Sequence, residues 1–269
     1  MVKKLFKHEL LSYMRVVVPM HIILLAIALI TRIIQIFEND SSTYNTIIIS
    51  SIIIFIISTI ICFVLTYIIG IKRFYTNMFS NEGYLTHTLP VSTTQHIFVK
   101  TTTAVLATIF SALMISVSIC TITFGDVCNE IFKSIGYIFG KSFDQFGYNL
   151  IFYIIEFALL AIIAITTSYL LIYGCISIGQ RAKKNRVAWA VGTYFIYYII
   201  TQIIGTAFII TLNNLEGSAL MTGITNFIEN NPLSFVHIAL CGFAVYYAIL
   251  GTIFFFITRY TISKKLNLE

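Results

Sequence analysis

The sequence predicts an all-α polytopic membrane protein with six transmembrane helices, and three observations carry that prediction. Of its 269 residues, 58% are hydrophobic and only 10% are charged. At a mean hydropathy of +0.91 there is too little polar surface to solvate a globular domain. Six largely uncharged runs, residues 16–37, 45–71, 101–124, 150–179, 187–211 and 234–258, each reach the roughly 20 residues that a helix needs to cross about 30 Å of hydrocarbon. The basic residues fall on alternate connections: Lys3, Lys4, Lys7 and Arg15 before the first run, Lys72, Arg73 and Lys100 between the second and third, Arg181, Lys183, Lys184 and Arg186 between the fourth and fifth, and Arg259, Lys264 and Lys265 after the sixth. Fourteen of the 17 Lys and Arg residues thus share one face. Since Lys and Arg in short loops are retained on the cytoplasmic side, both termini are placed inside, and the chain reads as one transmembrane domain over residues 1–269.

Taken in order, residues 1–15 read as an amphipathic elbow helix. Val2, Leu5, Phe6, Leu10, Tyr13 and Met14 recur at helical spacing opposite Lys3, Lys4, Lys7, His8 and Ser12, the pattern of a helix lying in the interface plane. Pro19, which removes a helical donor, predicts a bend into the first span. The alternative is the basic start of one long membrane helix. The second span ends in a polar interruption, residues 72–100, with a turn at Ser80-Asn81-Glu82-Gly83, a short apolar stretch over 84–89, and Pro90. Ser92 stands three residues ahead of Gln95, the spacing of a capping box, so a helix starts there and enters the third span.

Beyond the third span, Val127, Ile131, Ile135, Ile138, Phe139 and Phe146 form an apolar stripe that packs over the outer mouth of the spans or rests in the outer leaflet. In the fifth span Tyr194, Tyr197, Tyr198 and Gln202 give a partly polar face suited to a subunit interface or a translocation surface. Gly192 and Gly205 there, with Ala244 and Ala248 in the sixth span, are small residues that let helices approach. Residues 212–233 read as turns, marked by Asn213, Asn214, Gly217, Gly223, Asn230, Asn231 and Pro232.

Several chemistries are excluded. Gly136-Tyr137-Ile138-Phe139-Gly140-Lys141-Ser142 has three residues between its glycines where a phosphate loop needs four. His8-Glu9-Leu10-Leu11-Ser12 lacks the second histidine of a zinc helix. His8, His21, His87, His96 and His237 are scattered, and no nucleophile turn appears, so the chain is read as no enzyme, without a cofactor or metal of its own. The net charge of +6 is spread over four segments, which fits anionic lipid rather than nucleic acid.

Two charges interrupt the spans. Arg32 and Glu156 fall at roughly similar depth in the outer leaflet, so the two can pair if their spans are neighbours. Arg32 is long enough to snorkel to the headgroups, whereas Glu156 is too short, and is expected to face the protein interior or a wet cavity. A membrane-embedded proton-coupled carrier or enzyme built on these two is the alternative reading of the chain.

The elbow pattern, the six spans and the connection FSNEGYLTHTLPVS together resemble the type-2 ATP-binding-cassette permeases, in their small form from low-GC Gram-positive bacteria. The matching residues are Glu82-Gly83-Tyr84-Leu85 and Thr88-Leu89-Pro90-Val91, with a similar tail at Ser263-Lys264-Lys265-Leu266-Asn267-Leu268. The resemblance implies a permease subunit of an exporter in the bacterial cytoplasmic membrane, paired with a second permease copy or a related chain. Its substrate would be a peptide, a lipid or a drug-like amphiphile. ATP and Mg would be bound by a separate nucleotide-binding ATPase subunit, docked on a coupling helix formed by Asn81, Glu82, Gly83, Tyr84, Leu85, Leu89 and Pro90.

Overall fold

The computed structural model describes residues 2–37, 41–80, 83, 88 and 90–264. They form eight helices: α1 Val2–Ile36, α2 Ser42–Phe79, α3 Thr93–Ile122, α4 Asp126–Phe146, α5 Asn149–Gly179, α6 Arg186–Asn214, α7 Ala219–Asn230 and α8 Pro232–Lys264, with no strand among the described residues. Six of them, α1, α2, α3, α5, α6 and α8, are long and apolar enough to cross a membrane. The chain divides into two compact units, one of Met1–Asn77 with His87–Lys141, the other of Met78–Thr86 with Ser142–Glu269.

Several helices outrun their apolar spans at the end that carries the basic residues. The 35 residues of α1 reach about 52 Å at 1.5 Å each, well beyond the hydrocarbon thickness. The elbow expected over residues 1–15 is not a separate element. From Val2 onward α1 is unbroken, with Pro19 inside it. Its buried stripe, Glu9, Tyr13, Val17, His21, Leu24, Ala28 and Thr31, steps three or four residues at a time along one face. That face packs within the first unit from end to end, so the N-terminal turns are held as an extension of the span.

In the first unit, α1 packs closely along α3. Leu24 and Ala28 of α1 meet Phe55 and Cys62 of α2, and Met20, Ile27, Ile115 and Ile122 close over them. α3 begins with the expected capping box: the Gln95 N–H donates to Ser92 Oγ at 3.4 Å and the Ser92 N–H to Gln95 Oε1 at 3.1 Å. The first half of α3, from His96 to Ser111, is buried at most positions.

In the second unit, α5 packs against both α6 and α8. The close approaches are made by glycines other than those the sequence singled out. Nothing lies within 4 Å of where a Cβ would stand on Gly192 or Gly205, whereas a Cβ on Gly179 would come within 2.6 Å of the Ala190 nitrogen. Gly179 ends α5 and sets its distance from the start of α6. Residues 212–233 also differ from the expectation of turns alone, because they hold α7. Ser218 caps it, accepting from the Met221 N–H at 3.3 Å. Gly217 and Asn230-Asn231 bracket this helix, and Gly223 lies within it without breaking it.

Candidate functional site

Of the residues expected to meet an ATPase, Asn81, Glu82, Tyr84, Leu85 and Leu89 lie outside the described residues, as does His87. Gly83 is buried and its N–H donates to the Ser80 carbonyl at 2.7 Å, closing the expected turn. Pro90 is exposed, just ahead of the α3 cap.

Where α2 leads into this connection and α3 leaves it, the two helices converge on one carboxylate of α1. Glu9 Oε1 accepts from Lys100 Nζ at 3.1 Å and from Arg73 Nε at 3.3 Å, with Arg73 Nη2 standing 3.1 Å from the same oxygen. Arg73 also donates from Nη1 to Ser12 Oγ at 2.8 Å, and its guanidinium lies 5.8 Å from the centre of the Tyr13 ring. Side-chain exposure is 9% for Glu9, 6% for Lys100 and 20% for Arg73, so this is an interior ion cluster. All three residues lie just outside the apolar runs of their helices. Burial pushes the Glu9 carboxyl up, but Lys100 and Arg73 together outweigh it and hold it below the usual carboxylate range.

Next to this cluster a line of polar groups joins the same three helices. Tyr13 Oη donates to the Thr66 carbonyl at 2.5 Å. Thr66 Oγ1 lies 3.4 Å from Ser111 Oγ, and Ser111 Oγ lies 2.8 Å from His21 Nε2. The other ring nitrogen of His21 donates to the Val17 carbonyl at 2.9 Å. Buried polar groups in such a setting must be paired, and Tyr13, Thr66, Ser111 and His21 satisfy one another.

The second unit holds a different arrangement. Glu156 of α5 accepts from His237 Nδ1 of α8 through both oxygens, at 2.8 and 2.9 Å. The Tyr153 ring lies 4.4 Å from that imidazole, centre to centre, and Tyr153 Oη donates to the Leu233 carbonyl at 2.9 Å. Both ionisable side chains are 27% exposed. Arg32, in the first unit, donates to Gln35 Oε1 at 3.2 Å and lies against Gly125, whose φ of +111° suits a residue without a side chain. In α6, Tyr194, Tyr198 and Gln202 are exposed, while Tyr197 turns inward to meet Phe254 edge to face at 5.4 Å.

Glu9, Arg73, Lys100 and His237 were not singled out by sequence reasoning. The available signals were spacing and depth: Glu9, Tyr13 and His21 share one face of α1, and His237 stands about as far inside α8 as Glu156 does inside α5. No group of three or more His, Cys, Asp or Glu suited to a metal occurs among the described residues. Comparison with protein-family models, with curated proteins and with solved structures gives no match.

Proposed function

We propose that this chain is the permease subunit of an ATP-driven exporter, lying in a bacterial cytoplasmic membrane with both termini inside. A separate nucleotide-binding subunit binds ATP and Mg, and a second permease, a copy or a related chain, completes the pathway for an amphipathic peptide, lipid or drug-like substrate. The observation that carries this reading is the connection of residues 72–100. It is the polar break between two membrane-length helices, it carries the Glu82-Gly83-Tyr84-Leu85 and Thr88-Leu89-Pro90-Val91 pattern, and its ends enter a buried ion cluster. An apolar and aromatic tip beyond a glycine turn has the composition of an interface anchor. Replacing Tyr84 and Leu85 together by Ala is expected to lower co-purification of the proposed nucleotide-binding ATPase subunit at least tenfold. An intact complex with intact transport in that variant refutes the assignment.

The Glu156–His237 pair favours a second reading, a proton-coupled carrier, because an intramembrane carboxylate bonded to an imidazole is the composition of a proton relay. A carrier transports when reconstituted alone and loses transport on Glu156→Gln. An exporter does neither in the absence of its ATPase.

A further inference from the structure

We infer that Glu9 is the positioning residue of the coupling connection, a tie that holds the two ends of residues 72–100 together on α1. The inference deepens the exporter reading and rests on it for its consequence in transport. Its structural content stands on the ion cluster alone. Arg73 stands at the start of the connection and Lys100 at its end, and both donate to the same oxygen, Glu9 Oε1, from Nε at 3.3 Å and from Nζ at 3.1 Å. α1 and α3 pack closely, whereas α2 is joined to them through side chains: Arg73 to Glu9 and Ser12, Tyr13 to the Thr66 carbonyl, and Thr66 to Ser111.

Of these links the Arg73–Glu9 pair is the ionic one, and it lies nearest the connection. A force on the connection would splay α2 from α3 unless their ends are tied. With Glu9 in place the force reaches α1, which is helical from Glu9 to Ile36, about 40 Å at 1.5 Å per residue. Glu9 lies in the basic N-terminal turns and outside the apolar spans, so a part in touching substrate is not assigned to it.

The test uses the full-length chain in nanodiscs, with spin labels on cysteines introduced at the exposed positions Lys72 and Phe98. Wild type should give one narrow distance distribution, and Glu9→Gln a distribution at least twice as broad. The charge-swapped Glu9→Lys with Lys100→Glu, which keeps an anion beside Arg73, should return it toward wild type. With the ATPase bound, Glu9→Gln should retain ATP hydrolysis while the ATP consumed per substrate exported rises about tenfold, a change in ratio that loss of folded protein does not produce. Should Glu9→Gln not fold, Arg73→Gln is expected to broaden the same distribution. An unchanged distribution in Glu9→Gln or its stand-in, or no recovery in the charge swap, overturns the tie. Failure of any ATPase to bind counts against the exporter reading only, because the distance measurement still decides the tie.

Discussion

The two carboxylates Glu9 and Glu156 are both enclosed by helices, yet they are held in opposite ways. Glu9 is 9% exposed and one oxygen serves two permanent cations; Glu156 is 27% exposed and both oxygens share one imidazole proton. A lysine and an arginine stay charged throughout the physiological range, whereas histidine changes charge within it. The first arrangement therefore holds a fixed charge and suits a joint between helices. The second sits inside a span and rests on a single ring of a type that can change charge, which suits a responsive site. The difference follows from place: Glu9 lies beyond the apolar run, where Lys and Arg are tolerated, while Glu156 lies within one, where neutralisable partners cost less.

The largest effect separating the two sites is expected from Glu9→Gln. It removes the carboxylate that Arg73 and Lys100 both address, and removing one partner of a buried ion pair costs about 3–5 kcal/mol. Thermal unfolding of the purified protein measures it. The acid limb sharpens the same point. Because the folded carboxyl titrates below its ordinary value of 4.5, its contribution is fully present above that value and is lost as pH falls through the folded one. The gap in stability between wild type and Glu9→Gln should be flat across neutral pH and close only in strong acid. A gap that closes near pH 6 would mean that a histidine, not Glu9, governs the cluster.

Lys100→Met should have a smaller effect, since the Glu9–Arg73 pair survives. The lost hydrogen bond between charged groups is worth about 1.5–3 kcal/mol, partly offset by burying an apolar chain of similar length. A loss as large as that of Glu9→Gln would show that Lys100, rather than the shared carboxylate, organises the site.

How much of this was legible in the sequence depends on the range of the interaction. The membrane helices follow from runs of apolar residues, and the α3 start from Ser92 and Gln95 three positions apart; both are local. The unbroken α1 was misread because Pro19 signals a missing donor, not the packing of Glu9, Tyr13 and Val17 that carries the helix through it. α7 was missed because Gly217 and Asn230-Asn231, which mark its ends, were read together with Gly223 inside it as a run of turns. The ion cluster joins positions 9, 73 and 100, and no local period connects them. His237 was passed over for a similar reason: its partner stands 81 residues away.

The smallest effect is expected where the comparison predicts tolerance. Glu156→Gln keeps an acceptor for His237 Nδ1 and removes only the charge. Interhelical hydrogen bonds within membranes average about 0.6 kcal/mol, so the unfolding temperature should barely move. His237→Phe, which keeps the ring against Tyr153 but deletes the proton shared with Glu156, leaves a half-buried carboxylate with no donor and should be the more damaging of the two. If Glu156→Gln instead destabilises as much as Glu9→Gln, the pair is a fixed structural charge like the one on α1, and the contrast between a joint and a responsive site fails. If both α5 and α8 variants are silent in stability while Glu156→Gln alone alters transport, the carboxylate acts through its proton and not through its packing.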